Sequence, residues 1–225
     1  VLEAESLQAA LLAAAGEIQA LMNHQGLAAR SAHTAKVVFE SDLRAQLRRA
    51  LQFGRAELVG VDAALAADGI LGNPTDVVVQ ARTKAPQLAV EIRLHPRGED
   101  HAGFAAAVMA DVVKMAVARS RDAVEQATVL VGAPARFWRW LPGFAEDRVG
   151  FELLNADPDT PASSRSDFLA GPTWDSLFEA GLDGQVPERL WTSLLGTAEV
   201  RSPWMEMELR LIEVKGLGPP RDVRA

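Results

Sequence analysis

From Glu3 to Phe53 the apolar positions recur every third or fourth residue, the repeat of a helix with one buried face. Leu7, Leu11, Ala14, Ile18 and Leu21 mark this stripe on a first, proline-free helix over Glu3–Ala29. It either covers the main core or pairs with its own copy, or with a protein partner, in a dimer. Val37, Val38, Leu43, Leu47 and Leu51 mark a second helix over His33–Phe53, with Thr34 as N-cap and Gly54 as stop. The period then shortens. Ala56–Ala63, Asp76–Ala81 and Leu88–Leu94 read as three strands, the last two joined by a short polar turn. Gly103–Arg121 returns to a helical period, and Ala127–Val131 reads as a buried strand.

Past Pro134 the pattern predicts a strand over Val149–Leu154 and an exposed loop over Asn155–Thr173. Short helices are expected at Trp174–Ala180 and Pro187–Leu195, with Pro187 at a first helical position. Trp204–Lys215 alternates as a half-exposed strand. Arg136-Phe137-Trp138-Arg139-Trp140 either offers aromatics and cations to nucleic acid or anchors the connection to the next strand. The order helix, three strands, helix, strand predicts an α/β (α+β) fold with a mixed central sheet flanked by helices.

Within the strands, charge appears where a core should be apolar. Asp76 opens one strand, and Glu91 lies between Val90 and Ile92 in the next, with Arg93 two positions on. Ionised carboxylates are rarely buried without a partner. Residues i and i+2 of a strand share a face, so Glu91 and Arg93 project together. Carboxylates converging from adjacent strands make an all-oxygen site suited to Mg²⁺ or Mn²⁺. In the alternative, Arg93 closes on Asp76 or Glu91 as a structural salt bridge.

The 225 residues carry no cysteine, which removes disulfides, thiolate metal sites and cysteine nucleophiles. With 30 acidic against 23 basic residues the net charge is −7, so any nucleic-acid contact must be local. Arg44, Arg48 and Arg49 form the one dense basic patch, either a solvated helix face or a set of phosphate contacts. No apolar segment at the start is long enough to span a bilayer, and a cytoplasmic protein without membrane contact is expected. The four histidines show no metal-binding spacing, although His95 and His101 flank the Glu91 strand. Serine-hydrolase elbows and glycine-rich phosphate loops are absent.

Glu40 on a helix, Asp76 after Pro74-Thr75, and Ala89-Val90-Glu91-Ile92-Arg93 on a strand resemble the PD-(D/E)XK superfamily of restriction-endonuclease-like nucleases, over Thr34–Ala133. The resemblance implies a nuclease-like core at 34–155, preceded by a helical extension (1–33) and followed by an α+β extension (156–225). It implies hydrolysis of DNA phosphodiester bonds, with Glu40, Asp76 and Glu91 as catalytic acids holding Mg²⁺ or Mn²⁺ and Arg93 on the phosphate. DNA contacts are expected from Arg44, Arg48, Lys84 and Lys114. Arg93 stands where the family has a lysine, and arginine suits phosphate oxygens but does not serve as a base. Lys84 and Lys114 are candidates to replace that lysine. A catalytically inactive module, binding protein or nucleic acid in a larger assembly, is the alternative. Ile212-Glu213-Val214-Lys215 is a cleaner Glu-x-Lys, but no strand opened by aspartate precedes it.

Overall fold

The computed structural model describes residues 2–28, 40–53, 58–63, 75–80, 86–95, 100–157, 159–170, 185–201 and 206–222. The described strands form one seven-stranded mixed sheet, ordered β1-β2-β3-β4-β7-β6-β5, with helices on both faces.

The two N-terminal helices, α1 (Ala4–Ala28) and α2 (Glu40–Gln52), cover one face. Leu7, Leu11, Ala14 and Ile18 of α1 are buried there with Leu43, Leu47 and Leu51 of α2. The apolar stripe of α1 is therefore used by its own chain. Two glutamine side chains tie α1 to the strand beneath it. Gln8 donates to Thr197 O at 3.0 Å, and Gln19 bonds both the carbonyl and the N–H of Arg201. Thr34 and the expected start of α2 at His33 lie outside the described residues.

The strands β1 (Leu58–Ala63), β2 (Thr75–Gln80) and β3 (Leu88–Leu94) form an antiparallel meander. A crossover through α3 (His101–Ser120) then lays β4 (Ala127–Ala133) parallel to β3. Parallel neighbours need such a connection, because a short turn cannot reverse the chain direction twice. By length and composition α3 could cross a bilayer, yet 56% of its apolar window is buried inside the fold.

After β4 the structure departs from the expected pattern. Residues 135–146 form helix α4 (Ala135–Glu146), which the sequence pattern did not predict. Phe137 and Trp138 are buried on its inner side, which takes their rings away from any stacking role. Val149–Leu154 was expected to be a strand. Instead Phe151–Asn155 is a 3-10 turn whose Phe151, Leu153 and Leu154 all enter the core, which an alternating strand cannot do. Pro187–Leu195, expected as a helix, lies within β6 (Gln185–Arg201). Pairing along β7 (Glu206–Asp222) overrides the local helix signal, and register shifts fall at Pro187/Arg189 and Leu194/Gly196. β5 (Ala162–Arg165) closes this side of the sheet. Trp174–Ala180 lies outside the described residues. β7 pairs antiparallel with β4, so the C-terminal hairpin continues the same sheet.

Strand alternation sorts the side chains of β3. Leu88, Val90, Ile92 and Leu94 join the core under α1 and α2, while Ala89 joins the core under α3. Glu91, Arg93 and His95 share the parity of Ala89 and meet α3 and its surroundings.

Candidate site: a charged seam between β3 and α3

The hydrogen-bond ladder between β2 and β3 runs through Val79↔Leu88, Val78↔Ala89 and Val77↔Val90. Beyond it, the outward N–H groups of β3 have no strand to donate to among the described residues, and buried backbone donors must be satisfied. Carboxylates take them. Asp76 Oδ2 accepts from Ile92 N at 2.8 Å, and Glu40 Oε1, at the start of α2, accepts from Leu94 N at 3.1 Å. The other Asp76 oxygen, Oδ1, pairs with Arg44 of α2 at 2.5 Å.

On the α3 side, Glu91 is 5% exposed and receives Lys114 Nζ on its Oε1. The guanidinium of Arg93 closes on Asp111, rather than on Asp76 or Glu91. Its Nε donates to Oδ2 at 2.5 Å and one terminal nitrogen donates to Oδ1 at 3.1 Å. One residue further out on the same face, His95 Nε2 lies 2.9 Å from His101 Nδ1 at the first turn of α3. The His95 ring stacks on Phe104 at 4.4 Å and meets Phe137 edge-on at 5.8 Å. Residues 91 and 93 of β3, and 95 just past its end, are thus joined in turn to 114, 111 and 101 of the helix.

Electrostatics follow from this burial. Loss of water pushes the Glu91 carboxyl from its ordinary 4.5 up to about 7; the Lys114 ammonium works against the shift, while Asp111 and Asp76 add to it. Burial also raises Asp111, opposed by the hydrogen bond and charge of Arg93. The hydrogen bond to Asp111 holds Arg93 still more firmly in its charged form. The cluster of Glu40, Asp76, Glu91 and Asp111 against Arg44, Arg93 and Lys114 is close to neutral.

The structure therefore brings together Glu40, Asp76, Glu91, Arg93, Arg44 and Lys114 from the sequence-expected residues. Arg48 is exposed on the outer side of α2, and Lys84 lies outside the described residues. The Glu213-x-Lys215 motif sits elsewhere. Glu213 shares a register row with Thr128 and Val90, which places it on the α1/α2 face of the sheet, opposite Glu91. Lys215 pairs with Glu213 at 3.1 Å and lies over the Trp191 ring at 4.5 Å. Sequence reading missed Asp111. The available signal was an acid and a base three positions apart, Asp111 and Lys114, within an otherwise apolar stretch of helix.

A divalent ion needs carboxylate oxygens that point at one another and are not already committed. Among the described residues no three of Asp, Glu and His are grouped to hold one. Asp76 is committed through both oxygens, Glu40 through one, and Glu91 to Lys114. As placed, this donor set does not fit Mg²⁺ or Mn²⁺. Fold and site together define a mixed α/β protein with a self-paired polar cluster at the edge of its meander. Comparison with protein-family models, curated proteins and solved structures finds no match.

Proposed function

We propose that the chain is a nuclease-fold module of the PD-(D/E)XK kind whose acids are neutralised by its own cations, and that it acts by binding within a larger assembly rather than by hydrolysis. The carrying observation is the set of pairs Arg44–Asp76, Lys114–Glu91 and Arg93–Asp111. The order α2, β1, β2, β3, α3, β4, with β4 parallel to β3, supports the nuclease-like part of the reading. Breaking a buried pair by removing one partner costs about 3–5 kcal/mol. An ion entering at Asp76 and Glu91 would have to displace both Arg44 and Lys114 against that cost.

One contact favours a second reading, Mg²⁺- or Mn²⁺-dependent hydrolysis of DNA. Lys114, one of the two lysines expected to replace the missing motif lysine, reaches Glu91. Calorimetric titration of Mg²⁺ and Mn²⁺, with Asp76→Ala as control, separates the two, alongside cleavage of supercoiled plasmid. The module reading expects neither binding heat nor nicking from the native chain, and nicking after Arg93→Lys would mark a silenced site. Metal binding lost in Asp76→Ala, together with cleavage by the native chain, would replace it with the enzyme reading.

A further inference from the structure

We infer that the outer surface of α1 and α2 is a self-complementary interface that docks a second copy of this chain, each copy placing Phe53 in the cleft of the other. Among the described residues the exposed large hydrophobics are Leu12, Phe53, Val149 and Leu217, and the first two lie together here. Phe53 is 89% exposed and Leu12 is 52% exposed. They border a cleft of about 580 Å³ between the helices, floored by Ala9, Ala13 and Gly16 of α1 and Ala50 of α2. A neighbouring cleft of about 640 Å³ shares Arg49 and Phe53 and continues past Arg48. An exposed aromatic beside an apolar cleft with a polar rim is the make-up of an association surface.

Charge selects the occupant. Along Ala4–Ala28, α1 carries Glu5 and Glu17 and no lysine or arginine. α2 presents Arg48 and Arg49 outward, both exposed. One edge of the surface is acidic and the other basic, which is what a two-fold contact requires: a patch of one copy meets its complement on the other, and the reverse contact follows by symmetry. Glu17 and Arg49 lie on opposite walls of one cleft, so a two-fold axis through it brings Glu17 of each copy towards Arg49 of the other.

Gly16 points the same way. A Cβ built on it meets nothing within 4 Å, so the monomer gives no reason for glycine there, and alanine is the better helix former. Glycine is useful where another backbone must come close. The interface uses the outer face of α1, since the inner stripe is already buried on the sheet. It assigns Arg48 and Arg49 to protein contact, not to phosphate, and it does not depend on the reading of the β3/α3 seam.

Sedimentation velocity on the full chain over a concentration series tests the proposal. The native protein is expected to pass from monomer to dimer as concentration rises. Phe53→Ser and Gly16→Leu should each weaken self-association by about tenfold or more, with thermal melting of the monomer unchanged. Arg49→Glu and Glu17→Arg should each weaken it, and the double variant should recover it, because the pair is rebuilt with its signs exchanged. A native chain that stays monomeric overturns the proposal, as does a dimer indifferent to Phe53 and Arg49. So does a monomer that binds a labelled single-stranded oligonucleotide, or an acidic helical peptide, through those same residues.

Discussion

Replacing Lys114 with methionine tests whether the lysine is what allows Glu91 to ionise inside the fold. Methionine keeps most of the side-chain volume and removes the charge. Burial places the native Glu91 carboxyl at about 7, against 4.5 when unfolded. The folded chain therefore holds an extra proton between those values, and stability falls as pH climbs from 4.5 through about 7. At about 1.4 kcal/mol per pH unit, the native protein gives up about 3 kcal/mol across that window. Without Lys114 the carboxyl stays protonated to higher pH, and the folded state keeps losing stability above 7 where the native protein has levelled off. The extra loss in the variant is set by how far the pH lies above 7. It is close to zero at pH 6 and grows by at most about 1.4 kcal/mol per pH unit above 7, for as long as the variant's carboxyl stays protonated. Urea midpoints for both proteins across this pH range, at constant ionic strength, measure it. Lys114 also favours the charged form of Asp111, so the same comparison is made in a Glu91→Gln background, where the pH dependence should flatten. A native-minus-variant difference that stays constant from pH 6 to 9 would refute the argument.

Gly132→Ala should lower stability by about 1–3 kcal/mol, read as a shift in urea midpoint. The new Cβ would lie 2.4 Å from Leu94 Cδ2 and 2.8 Å from both Leu209 Cδ2 and Met207 Sδ, so three core side chains must yield together. Asp76→Ala should remove the acceptor of the Ile92 amide and break the Arg44 pair, at a cost of about 3–5 kcal/mol, whereas Asp76→Asn keeps an oxygen in place for the amide. Native-state hydrogen exchange should show the Ile92 amide exchanging at least about tenfold faster in the alanine variant. Equal protection in both variants would contradict the strand-edge role of Asp76.

Much of the fold could be read from periodicity. The α1 stripe, the meander and the crossover into β4 follow from apolar spacings that a single burial face imposes, and the structure places them where those spacings predict. The C-terminal half resisted because its decisive interactions are not local. Residues 187–195 carry a proline and short-range features that suit a helix start, yet β7 offers a ladder along the length of β6, and pairing wins. The Arg136–Trp140 run left stacking and anchoring both open, because a short aromatic-basic run looks the same whether its rings face inward or outward. In the fold Arg210 lies over the Trp138 ring at 4.0 Å, and the indole donates to Glu208 O at 3.3 Å. The candidate site was half legible. Charges inside apolar strands marked Asp76 and Glu91 as needing partners, but the sequence did not say which partners.

Those partners explain how an acid can sit within β3. Arg93 finds Asp111 and Glu91 finds Lys114 at separations of 18 and 23 residues, across the whole crossover. Successive same-face residues of a strand advance by about 6.6 Å, and three residues of a helix advance by about 4.5 Å. Pairs 91–114 and 93–111 can therefore form together only if strand and helix run in opposite directions with a fixed offset, while His95 meets His101 in the first turn of α3. An apolar interface alone would resist sliding of α3 by a turn less, since Val108 and Val112, one turn apart, are the same residue. The charged seam resists it more, because a slide would strand buried charges, and removing a partner from one buried pair already costs about 3–5 kcal/mol. Charge in β3 thus fixes the register of α3 on the sheet.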